Sequence, residues 1–166
     1  MARHRPGIAR RRALAAALAA VLALLVAGCG RTEEETPVAC LDGADAYLSA
    51  LSAAPGEVLI GGKTPISACL IRGQDGGELA SVGEALVEAA TRLNAEARAE
   101  PGGAANVQLG YLLGAASAAA EDTEGIHADL LRRLTVAARF ARGRQPLGER
   151  FRAAYREGFD AGAASG

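Results

Sequence analysis

Residues Ala104 to Ala120 carry no charged side chain, and Asn106 and Gln108 put their polar groups near the start of the stretch. A segment of this length that is apolar nearly all round is a helix with neighbours on every side, so the rest of the chain must pack around it. It is too short and too rich in Ala and Gly to cross a bilayer, which takes about 20 predominantly apolar residues. Gly110, Gly114 and Ala118 recur at every fourth position. They form a strip of small residues against which another backbone can come close.

Periodic segments flank this stretch. Thr36-Pro37 places a hydroxyl before a proline, a helix-start signal. Leu41, Ala44, Leu48 and Leu51 follow at helical spacing, and Pro55-Gly56 stops them. Val58-Leu59-Ile60 is a short apolar run expected to be extended; Gly61-Gly62 breaks it, and Thr64-Pro65 repeats the helix-start signal. Asp75 stands three residues before Glu78, the spacing of a capping box. The helix it opens buries Leu79, Val82, Leu86, Ala90, Leu93 and Ala97, with Glu88 and Arg92 paired outside, and ends at Pro101-Gly102-Gly103.

After the central segment, Asp122 or Thr123 caps a further helix with Ile126, Leu130, Leu134, Ala137 and Ala141 inside; Arg132 and Arg139 share a different face. Beyond Pro146, one stripe holds Leu147, Phe151, Ala154, Tyr155, Gly158 and Phe159. Aromatic side chains of that size need a cover, expected to be the core. Ala161 to Gly166 is expected to fray. The pattern predicts an all-α fold: a small bundle-like domain of about five helices with one irregular Gly-rich segment.

The N-terminus carries a different message. Arg3, Arg5, Arg10, Arg11 and Arg12 precede a continuous apolar run from Ala13 to Ala27, the layout of a secretory signal. Val26-Ala27-Gly28-Cys29 closes it and resembles the lipobox of bacterial lipoproteins. The resemblance is confined to this region. It implies that residues 1–28 are a removed signal peptide and that Cys29 bears the lipid. The protein then sits on the extracytoplasmic side of a bacterial membrane. Residues 29–36, with three adjacent glutamates and no apolar residue after the cysteine, read as a disordered tether. Residues 37–163 form a single helical domain, and 164–166 a frayed end.

In that compartment Cys40 and Cys69 are the two thiols left, and two thiols under oxidising conditions are expected to pair. Both lie near the first turns of short helices. The processed chain has 13 basic and 19 acidic residues, net −6, distributed unevenly: residues 130–166 hold 8 basic and 3 acidic groups. The basic end is expected to pack on the acidic remainder, or to turn an arginine face toward an anionic lipid or polymer.

Catalytic motifs are incomplete. Gly62-Lys63-Thr64 resembles the tail of a P-loop, but Glu57 stands where its first glycine belongs. Glu124 and His127 have the Glu-x-x-His spacing of di-iron bundles, which need a second such pair; the processed chain has no second histidine. No nucleophile-elbow spacing surrounds a serine. The arginines of 130–156 are not interleaved with exposed aromatics in a nucleic-acid-binding pattern. The expectation is a non-catalytic binding or adaptor domain without cofactor or metal, anchored to the membrane at Cys29 and meeting an envelope protein or anionic polymer. His127, Glu124, Arg132 and Arg139 are its candidate functional residues. The alternative is a lipid-anchored hydrolase or metal-dependent enzyme using His127 with nearby carboxylates, which would place His127 on the floor of a cleft facing acids.

Overall fold

The computed structural model describes residues 35–121, 123, 125–139 and 146–166. The signal segment, the lipobox with Cys29, the start of the tether, Asp122, Glu124, Ala141, Arg142 and Arg144 lie outside them. Glu34–Gly166 is a compact unit in its own right. Its described elements are two 3-10 turns, Val38–Leu41 and Ile66–Cys69, and five helices: α1 (Ala44–Leu51), α2 (Gly76–Ala99), α3 (Ala104–Glu121), α4 (Ala128–Arg139) and α5 (Glu149–Ser165). The fold is all-α; among the described residues the only β pairing is a single bridge between Ile60 and Thr64. No described helix is long and apolar enough to cross a membrane.

The charge-free stretch is the central helix. α3 touches α1, α2, α4, α5 and the second 3-10 turn, and buries Leu109 through Ala116 without a break. That explains its lack of a polar face: burying an unpaired polar group on any side would cost stability.

The closest packing joins α3 to α5. A β-carbon added at Gly110 or Gly114 would overlap the Tyr155 or Phe159 carbonyl; one added at Gly158 or Gly162 would overlap the Val107 or Tyr111 carbonyl. Small residues four apart thus face each other from both helices. The contacts ascend in step along both sequences, so the helices run in the same direction. At such separations Cα–H groups lie against carbonyl oxygens, a weak stabilising contact of about 0.5–1 kcal/mol each. Gly162 is buried, and the Gly166 amide donates to the Gly162 carbonyl at 2.8 Å. α5 therefore continues through the 161–166 stretch where fraying is expected, because its last glycines pack on Tyr111 and Ala115.

α2 follows its sequence signals closely. The Asp75 carboxylate accepts from the amides of Gly77 (2.8 Å) and Glu78 (3.4 Å), and Val82, Leu86, Ala90, Leu93 and Ala97 are buried. Arg92 pairs with Glu88 at 3.7 Å as expected, and at 2.6 Å with Asp45 of α1.

Three local expectations are corrected. The segment after Thr36 is not one helix: Gly43 adopts φ +79° and separates a 3-10 turn from α1. The buried set there becomes Ala44, Tyr47 and Leu51, while Leu41 is exposed. Thr36 does not cap a helix, and its hydroxyl instead accepts from the Gln74 side chain at 2.9 Å. Ile126 is half-exposed because it precedes α4 in a turn, and His127 takes the inward position above Leu130, Leu134 and Ala138.

Cys40 and Cys69 form a disulfide between the two 3-10 turns, with Cα atoms 5.5 Å apart and both residues fully buried. The Tyr47 hydroxyl donates to the Cys40 carbonyl at 2.9 Å, tying α1 to the same knot. Burial holds that phenol neutral well above its ordinary range, with the charge of Asp42 adding to the effect.

Candidate functional site

His127, the residue on which an enzymatic reading depends, is buried on all sides. Its Nδ1 lies 2.9 Å from the Thr123 hydroxyl and its Nε2 lies 3.3 Å from Gln74 Oε1. Gln74 is oriented by two acceptors for its amide nitrogen, Thr36 Oγ1 at 2.9 Å and the Cys69 carbonyl at 3.0 Å. Its Oε1 can only accept, so His127 Nε2 donates. The neutral ring then presents Nδ1 as an acceptor for the Thr123 hydroxyl. That hydroxyl also lies 2.9 Å from the Ala120 carbonyl, which the Thr123 amide already serves.

Both imidazole nitrogens are therefore engaged. Burial lowers the His127 pKa below its ordinary 6.5, because a charged ring loses its hydration there. The network fastens the disulfide-bonded N-terminal segment to the turn between α3 and α4. Asp129 does not face the ring; it is ion-paired with Arg132 on the exposed side of α4. No group of three His, Cys, Asp or Glu residues placed to hold a metal occurs among the described residues. Glu124 lies outside them. Of the four candidates named from sequence, His127 is thus a packed structural residue, Arg132 is paired with Asp129, and Arg139 borders a cavity.

That cavity is a groove of about 620 Å³ between the C-terminal end of α4 and α5. The helical spacing of Phe151, Tyr155 and Phe159 puts three rings in one row along α5. Neighbouring ring centroids are 6.3 and 6.2 Å apart and the planes tilt by 17° and 28°. Phe151 is buried, but Tyr155 and Phe159 are only half-buried. The core thus covers part of the stripe and leaves the rest as the floor of the groove, with Leu147 and Ala138 beside it. The reason is geometric. α5 spends its glycine face on α3, and the aromatic face beside it has α4 only at its edge.

Arg98 from α2 lies over the Phe151 ring. It accepts no freedom there: Nε donates to Asn94 Oδ1 at 3.0 Å, Nη2 donates to the Arg139 carbonyl at 2.9 Å, and the guanidinium lies 5.7 Å from the Phe151 ring centroid. Three more arginines, Arg139, Arg152 and Arg156, line the groove and are exposed. None of these three has a carboxylate at ion-pair distance among the described residues. Asp160 stands on the same rim one turn beyond Arg156. Burial raises the Tyr155 pKa, and the nearby charge of Arg139 acts against that rise.

The volume falls in the range of small-molecule pockets, roughly 300–1,000 Å³. The sequence signal for it was an aromatic at every fourth position with an arginine directly after two of them, Arg152 and Arg156. The approach of the C-terminal end of α4 to α5 is what turns that pattern into a groove.

Comparison of the chain with protein-family models, curated proteins and solved structures finds no match.

Proposed function

We propose that this chain is a lipid-anchored, extracytoplasmic binding module of the bacterial envelope, non-catalytic, held to its membrane through Cys29 and engaging another envelope component through the groove between α4 and α5. The observation that carries binding over catalysis is the contrast between two sites. The groove joins an apolar floor to arginines without an ion-pair partner among the described residues, whereas the one histidine of the processed chain is buried with both nitrogens engaged. The lipobox resemblance supports the anchor. The buried Cys40–Cys69 disulfide supports an oxidising compartment, where such bonds persist. Two or more acyl chains anchor a protein stably, while one does so only marginally. One modified sulfur then decides where the whole molecule resides.

Fractionation of bacterial cells producing the full-length chain tests this. The protein is expected in the membrane fraction and released from it only by detergent. Cys29→Ser is expected to block lipid addition and to change the processing of the precursor. Recovery of the parent protein from the soluble cytoplasm with free Cys40 and Cys69 thiols would refute both the anchor and the compartment.

A further inference from the structure

We infer that the α4–α5 groove takes a single-chain anionic amphiphile of the fatty-acid type: an alkyl chain along the aromatic floor and a carboxylate among Arg139, Arg152 and Arg156. This deepens the binding reading above and rests on it.

The floor selects an apolar body. Its open part is Tyr155 and Phe159, half-buried with ring centroids 6.2 Å apart, and the buried Phe151 continues the same row. The rings form one row, which matches one chain rather than a bulky ring system. A hydrophilic polyanion would leave those rings uncovered and gain nothing from them. The half-buried rings sit inside a concave groove; a face built to lie on a bilayer projects its aromatics outward. Arg98 lies over the Phe151 ring and Phe151 is buried, so the chain lies toward Phe159.

The rim selects the charge. Arg139, Arg152 and Arg156 are uncommitted among the described residues, and guanidinium groups bind carboxylates through paired N–H donors. Asp160 is the opposing charge on this rim. It confines the head group to the arginine side, and among the described residues three cations against one anion leave the site net positive.

The test uses full-length protein in bacterial membranes, photolabelled with a diazirine-bearing long-chain fatty acid and, in parallel, with the alcohol of the same chain. Both probes partition into the bilayer, so nonspecific labelling cancels in their ratio. Peptides covering 147–160 are expected to label about fivefold more with the acid than with the alcohol, the gain of an exposed charge pair of about 1 kcal/mol. Excess unlabelled fatty acid removes the difference. The combined variant Arg139→Gln, Arg152→Gln, Arg156→Gln brings acid labelling down to the alcohol level, and the corresponding triple Lys variant retains part of the preference. These side chains are exposed, so an unchanged thermal melt is expected for both variants. Equal labelling by acid and alcohol, or a preference that survives the Gln variant, overturns the inference. The Cys29-Gly30-Arg31 peptide of the same digest reports the anchor independently. A lipidated peptide without acid preference defeats the ligand alone, and an unmodified peptide with acid preference defeats the anchor alone.

Discussion

The carbonyl of Val107 occupies the space in which a side chain at Gly158 would begin. The relationship repeats one turn on, where Tyr111 faces Gly162, and in reverse, where Gly110 and Gly114 face Tyr155 and Phe159. Four glycines from two helices thus set the distance between α3 and α5. They fix the rotation of α5 as well, and so the direction in which its aromatic row faces.

Gly158→Ala should therefore destabilise the fold by about 3 kcal/mol, since overpacking a close interface typically costs 1–3 kcal/mol and here the clash is with backbone. The sign is informative. An Ala replacing Gly in a helix with open surroundings gains stability from the reduced freedom of the unfolded chain, about 0.5 kcal/mol. Gly76 in the first turn of α2 has nothing within 4 Å of its added β-carbon, so Gly76→Ala should raise the urea midpoint while Gly158→Ala lowers it.

The disulfide closes a loop with a sequence separation of 29. In the chain-entropy description its removal costs about 3–4 kcal/mol. The double variant Cys40→Ala, Cys69→Ala should lose that amount in urea titration. Cys40 and Cys69 are bonded to each other and fully buried, so neither should react with thiol reagents in the native oxidised protein.

His127 makes stability depend on pH with a defined sign. Its folded pKa is lowered below the ordinary 6.5 by burial. Above pH 6.5 the ring is neutral folded and unfolded, and it contributes nothing to the pH dependence. As pH falls below 6.5 the unfolded chain binds a proton that the folded ring does not. Stability then declines with a slope of up to about 1.4 kcal/mol per pH unit until the folded ring protonates too. Urea titrations between pH 7.5 and 5 should show this decline in the parent protein and a shallower one in His127→Gln.

Arg98 joins three elements through Asn94, the Arg139 carbonyl and the Phe151 ring. Arg98→Ala should cost about 1–2 kcal/mol from the lost carbonyl bond and ring contact. Lysine cannot reproduce the planar fork, so Arg98→Lys should recover less than half of that loss in the same melts.

The legibility of this fold in its sequence varies from element to element. The absence of charge from Ala104 to Ala120 leaves only a central place for α3, and Asp75 marks the start of α2 by the capping bonds it makes. Gly43 is different. Nothing in its neighbourhood says that it adopts a positive φ and divides the first helical pattern in two. The glycines of α5 have the same four-residue spacing as those of α3, but spacing names no partner; only the tertiary arrangement shows that the two strips face each other. The His127 network was illegible for a related reason, since Gln74 lies 53 residues away in sequence. The arginines of the groove were legible as a basic end, and the rings as a stripe needing cover. Their convergence depends on how far α4 stands from α5.

The chemical state of Cys29 decides where the protein resides, and trypsin gives direct access to it because Arg31 follows two residues on. Mass spectrometry of that digest from the membrane fraction should find Cys29-Gly30-Arg31 beginning at the cysteine and carrying a thioether-linked diacylglycerol. An unmodified cysteine, or peptides that run continuously through Gly28 into Cys29 in the accumulated protein, would contradict the lipid anchor.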